Sequence, residues 1–173
     1  MTGDRGNKPV ETDLFMEIQR FLVDEAALLD GLAYREWFAL LTEDISYRIT
    51  TRIVRHGDGG MRDHRIVDED FTTLGLRVDQ LANPKLTLAE DPPSFCRRFI
   101  TNIRADHGAE PDSYLVAANM LVYKNRPSNA ATAFYVGERH DVLRRVDGAL
   151  RIAARVVRLD ESVLQGGTLS TLL

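Results

Sequence analysis

A single cysteine, Cys96, stands among 173 residues. That count excludes an internal disulfide and any site that needs several thiolates from this chain. So little cysteine fits a reducing compartment. No apolar run approaches the roughly 20 residues that cross a bilayer. The opening MTGDRGNKPVET carries no apolar stretch of a secretory leader. The four histidines, His56, His64, His107 and His140, form no paired ligand motif such as H-E-x-x-H. No G-x-S-x-G and no phosphate-cradling glycine loop is present. The net charge is −4, so no overall basic field draws the chain to nucleic acid or to an anionic membrane. A cytoplasmic protein is the plain expectation.

What is there suits one globular domain. Hydrophobic residues make up 44% and charged residues 28%, enough for a packed core. Residues 1–10 are polar and read as a flexible tail, with a single domain over 11–173. From Thr12 onward, Leu14, Ile18, Phe21, Leu22, Glu25, Leu28 and Leu29 recur at helical steps. Thr12 or Asp13 is the expected cap, and Gly31 the expected left-handed stop. A short second helix carries Tyr34, Trp37, Phe38, Leu40 and Leu41 on its apolar side. Ile45, Tyr47, Ile49, Thr51 and Ile53 then alternate with polar residues, the period of a half-buried strand. RHGDGGMRDH, residues 55–64, reads as a loop. Asp70 is placed to cap a third helix, and Asn83-Pro84 to end it.

After Pro92-Pro93 the pattern changes to strands. Phe99, Thr101 and Ile103 alternate with Ile100 and Asn102. SYLVAANMLVYK, ATAFYVGERHDVLRRV and ALRIAARVVRLD follow as long strands, the last two joined at Asp147-Gly148, a two-residue hairpin signal. Helices first and sheet second imply an α+β domain.

Several residue groups invite a chemical reading. His56 and His64 share a loop with Asp58, Asp63 and Asp68, as a metal site or as ordinary polar surface. Cys96 beside Arg97 and Arg98 is either an activated thiol or a buried small hydrophobe. Asp44, Asp106, Tyr47, Tyr114, Tyr135 and His140 could line an acid/base pocket of a stand-alone isomerase or dehydratase. Arg144, Arg145, Arg151, Arg155 and Arg158 flank the last hairpin, as a solvated face or as interface arginines. By alternation, Arg151 and Arg155 share one face and Arg158 takes the other.

AEDPPSFCRRFITNI, residues 89–103, resembles the signature segment of the small, or β, subunit of bacterial Rieske-type aromatic-ring-hydroxylating dioxygenases. EIQRFLVDEAALLDGLAYREWFALLTEDISYRI is similar to the two-helix start of that family, and VDEDFTTLGLRVDQL to its third helix. FYVGERHDVLRRVDGALRIAARVVRLDESVL resembles its closing hairpin, and TLSTLL its C-terminal tail. One departure is the Phe95-Cys96 pair, where polar residues are expected.

The resemblance implies a cone-shaped α+β fold of the nuclear transport factor 2-like or SnoaL-like type. Its sheet is strongly twisted and mixed, mainly antiparallel, with the N-terminal helices on one face. It implies an α3β3 assembly in which this chain forms a trimer. The partner α subunit would hold the Rieske [2Fe–2S] cluster and a mononuclear Fe(II). Ferredoxin and a reductase would deliver electrons from NADH for cis-dihydroxylation of an arene. No catalytic, cofactor or metal residue is then expected in this chain. Arg97, Arg98, Arg144, Arg145, Arg151, Arg155 and Arg158 become candidate interface residues.

Overall fold

The structure, a computed structural model, describes residues 7–53, 62–83, 92–127, 131–161, 169 and 171–173. In chain order the elements are α1 (Thr12–Asp30), α2 (Tyr34–Phe38), β1 (Leu41–Ile53), β2 (Arg62–Glu69), α3 (Phe71–Ala82), β3 (Phe95–His107), β4 (Ser113–Arg126), β5 (Ala131–Val146) and β6 (Ala149–Leu159).

The apolar stripe of α1 buries Ile18, Leu22, Ala26 and Leu29, with Glu25 among them. Its N-cap is Glu11, not Thr12 or Asp13, and it makes no capping bond. The Glu11 carboxylate instead meets Lys8 Nζ at 2.9 Å and His107 Nε2 at 3.0 Å. Lys8–Val10, read from the sequence as tail, run beside β3: His107 N donates to Lys8 O at 2.8 Å and Val10 N to Ala105 O at 3.2 Å.

The left-handed residue that ends α1 is Leu32, with φ 60, while Gly31 sits at φ −85. Ala33 N reaches Leu28 O at 2.9 Å and Leu32 N reaches Leu29 O. These paired bonds place the C′ position at residue 32, one beyond the glycine. Asp70 caps α3 as expected, in a reciprocal box with Thr73 at 2.9 Å in each direction. Asn83 leaves α3 in extended conformation.

The six strands form one sheet in the order β2-β1-β6-β5-β4-β3. The β1–β6 pair is parallel and every other pair antiparallel, the expected mixed sheet. Asp147 and Gly148, at φ 51 and 80, make the predicted hairpin turn. Strand β2 corrects the loop reading of residues 62–64; residues 55–61 lie outside the described set. It is an edge strand, and its charges protect an open edge while hiding the alternation.

A second correction concerns β6. Leu143 pairs with Ile152 and Val142 with Ala154, so Ala153 is an extra residue, a bulge. The parity flips there. Arg155 therefore faces inward with Ile152, and Arg151 shares the outer face with Arg158. The helices cover the inner sheet face, and the core lies between them, around Ile18, Leu22, Trp37, Tyr47, Leu143 and Ile152.

Candidate functional site

The centre of the core is charged. Glu25, Arg139, Asp141 and Arg155 are all 3% exposed or less. Arg155 donates to both Asp141 oxygens at 2.8 and 2.9 Å, and to Glu25 Oε1 at 2.7 Å. Arg139 reaches Glu25 Oε2 and Asp141 Oδ2, each at 3.1 Å. Trp37 Nε1 donates to Glu25 Oε1 at 2.8 Å. Two positive groups thus meet two negative ones, the balance that burial requires. Burial pushes the Glu25 carboxyl up, but the guanidinium groups of Arg155 and Arg139 outweigh it and hold the pKa at about 2. Burial likewise opposes the charge of Arg155, yet Asp141 and Glu25 raise its pKa above the ordinary arginine value.

The segment 171–173 closes this interior. Thr171, Leu172 and Leu173 are buried. Tyr47 Oη donates to Leu173 O and accepts from Leu173 N, both at 2.9 Å. Arg155 Nη1 also donates to Leu173 O, at 3.2 Å. Arg98 Nη2 donates to Leu172 O at 2.6 Å and to Thr171 Oγ1 at 3.1 Å. Its Nη1 holds Asp30 Oδ1, at the end of α1, at 2.6 Å.

The acid/base set expected from the sequence does not converge. Tyr47, Tyr114 and Tyr135 are buried. Asp44 is exposed and pairs with Arg144 at 3.0 Å, and His140 is exposed beside Glu138. Asp106 belongs to the far end of β3, beside Pro9. Burial pushes the Tyr47 phenol pKa up, so it stays a neutral hydrogen-bonding group. Among the described residues the buried acids are Glu25 and Asp141, which sequence reasoning did not propose as a site. The signal for Glu25 was present: a glutamate inside an otherwise apolar helical stripe.

Nor do the described residues fit the iron groups. A Rieske cluster takes two cysteines and two histidines. Cys96 is buried, with Sγ 3.9 Å from Thr171 Oγ1, the place of a small core side chain. Among the described residues no three His, Cys, Asp or Glu side chains are placed to hold a metal. Of the loop candidates, His56 and Asp58 lie outside the described residues, while Asp63 pairs with Arg158 and Asp68 with Arg48.

Two candidate interface arginines turn out to lie inside the chain. The side chains of Arg98 and Arg155 are 2% and 0% exposed and spent on internal partners, so neither can reach a partner subunit. The others stay at the surface, tied to acidic groups or carbonyls. Arg144 pairs with Asp44, Arg145 with Glu17 at 2.7 Å, and Arg158 with Asp63 and Glu138 at 2.9 Å. Arg151 bonds to Ala39 O. These contacts fasten the last hairpin to α1, β1 and β2.

The outer face of β3, β4 and β5 is different. Register places Phe95 beside Asn125, Arg97 beside Tyr123 and Phe134, and Phe99 beside Leu121 and Val136. Cross-strand partners share a face. Phe95 is 65% exposed, Phe99 55% and Phe134 49%. Tyr123 and Phe134 rings lie 5.6 Å apart. Exposed Phe95 and Phe99 on β3 and Phe134 on β5, with half-buried Tyr123 between them on β4, form one patch rather than scattered apolar residues. Phe95 thus points out and Cys96 in, which accounts for the unusual apolar pair.

The ring hydroxylating beta subunit family matches residues 24–166. The chain is 33% identical over 170 residues to the biphenyl 2,3-dioxygenase subunit beta of Rhodococcus jostii (strain RHA1), covering 94% of this chain and 90% of that one. It is 35% identical over 177 residues to the 3-phenylpropionate/cinnamic acid dioxygenase subunit beta of Photorhabdus laumondii, covering 95% and 94%. A solved naphthalene 1,2-dioxygenase with indole in its active site aligns at a TM-score of 0.85 and 24% identity, over 95% of this chain and 88% of that one.

Proposed function

The chain belongs to the ring hydroxylating beta subunit family, and from that membership we propose that it serves an aromatic-ring-hydroxylating dioxygenase as an assembly subunit without catalytic residues. The observation that carries the assembly role is the exposed aromatic row of Phe95, Phe99 and Phe134, backed by an interior filled with paired charges. In this reading the outer sheet face, with Arg97 at its middle, meets a partner subunit. Arg144, Arg145, Arg151 and Arg158 lie at or near the same assembly's contacts. An aromatic-rich surface with one arginine has the composition of an interface core.

The oxygen chemistry then belongs to a large α subunit. That partner carries the Rieske [2Fe–2S] cluster and the mononuclear Fe(II), reduced from NADH through a reductase and a ferredoxin. The proposed assembly is α3β3, with this chain as a trimeric base. The product class is a cis-dihydrodiol of an arene. No helix among the described residues is long and apolar enough to cross a membrane. A cytoplasmic location completes the proposal, supported by the near-absence of cysteine.

The test is co-expression of the tagged chain with its large subunit. The wild type is expected to retain a brown, iron–sulfur-bearing partner, and a Phe99→Asp, Phe134→Asp variant to lose it while keeping its own circular dichroism. Retention of the partner by that folded variant would remove the outer face from the proposal.

A further inference from the structure

Segment 171–173 is held by side chains rather than by a strand. Three side chains from different elements converge on this segment, Tyr47 of β1, Arg98 of β3 and Arg155 of β6, and Glu25 of α1 stands behind Arg155. Each is almost fully buried, and three of them address main-chain atoms. Leu172 and Leu173 are each 1% exposed and packed in the core cluster. Among the described residues, their main-chain hydrogen bonds run to side chains, not to a strand ladder. The buried backbone of this segment is thus satisfied by side chains converging from separate elements, and its leucines pack in the core beside them.

We infer that the cone interior is a peptide-binding site, and that its occupant is the chain's own segment 171–173. The chemistry recognised is a main-chain N–H and two carbonyls flanked by leucine side chains. Tyr47 reads both the N–H and the C=O of Leu173 with one hydroxyl. Arg155 joins the occupant to the buried network, since one guanidinium serves Leu173 O, Glu25 and Asp141 at once. Arg98 joins it to the end of α1 through Asp30. Occupancy therefore orders both helix and sheet from inside. The site acts within one chain and needs no partner subunit, so it stands or falls separately from the assembly reading.

Trp37 reports on the site. It is fully buried, its ring lies 6.3 Å from that of Tyr47, and it donates to Glu25. In the full-length chain, Leu172→Gly with Leu173→Gly removes both anchors without touching the receptor. Acrylamide quenching of Trp37 is expected to rise several-fold in this variant. A synthetic peptide Leu-Ser-Thr-Leu-Leu is expected to return it toward the wild-type value. Unchanged quenching in the variant, or raised quenching that the peptide does not reverse, would overturn the inference. Should the variant fail to fold by circular dichroism, hydrogen exchange of the wild type decides. Leu172 and Leu173 amides that exchange through a local opening, ahead of those in β5, support a detachable occupant; exchange only on global unfolding refutes it.

Discussion

Replacing Glu25 with glutamine removes one negative charge from the interior and leaves Arg139 and Arg155 facing Asp141 alone. Two routes size the loss. The Glu25 carboxyl is held at about 2 against an ordinary 4.5, a gap that corresponds to about 3 kcal/mol of folding free energy. Breaking a buried ion pair by removing one partner costs about 3–5 kcal/mol. The routes agree, so Glu25→Gln is expected to lose about 3–5 kcal/mol at neutral pH. For a domain of this length that is a drop of about 6–20 °C in Tm.

The pH dependence follows from the direction of the shift. A carboxyl whose folded pKa is depressed stabilises fully above its unfolded value and loses that contribution as pH falls through the folded one. The wild-type advantage is therefore complete above 4.5 and fades toward pH 2. Urea unfolding at fixed chain concentration, followed by far-UV circular dichroism, reads both quantities. Adding Arg155→Met restores charge balance and keeps the Arg139–Asp141 contact at 3.1 Å. In that background Glu25→Gln is expected to cost at least about 1 kcal/mol less than in the wild type. A Glu25→Gln chain within about 0.5 kcal/mol of wild type, or an equal loss at neutral pH and at about pH 3, would refute the argument.

Neighbouring arginines are expected to separate by role. Arg98→Ala frees the Asp30 carboxylate and two acceptors of segment 171–173 and should lower unfolding stability by about 2–4 kcal/mol, whereas Arg97→Ala should leave stability within about 0.5 kcal/mol and weaken subunit association in analytical ultracentrifugation. Leu32→Gly relieves a left-handed leucine that is 38% exposed; thermal unfolding should show a gain of about 0.5–1 kcal/mol, and a loss would show that the leucine side chain matters more than its backbone.

Much of the fold was legible because its signals are local. The alternation of β1, the cap at Asp70 and the Asp147-Gly148 turn each follow from a few adjacent residues. Strand β2 was missed because an edge strand carries charge on both sides of a weak apolar pattern. The face of Arg155 was misread because a bulge at Ala153 leaves no mark in the residue types. Glu25 could have been found, since a carboxylate on a buried helical stripe demands a cation. Its partners Arg139 and Arg155 lie more than a hundred residues away, and only register brings them together. The exposed aromatic face was ambiguous for a related reason. Strands such as ATAFYVG are apolar at consecutive positions, and one chain alone does not say whether the second face meets core or partner.

In the proposed function this chain holds a metal-bearing partner in place and does no oxygen chemistry itself. Iron per polypeptide, measured by mass spectrometry on the full-length chain purified without its large subunit, tests that most directly. A value near zero is expected, even after anaerobic incubation with ferrous iron. Stoichiometric iron retained by the lone chain would contradict it.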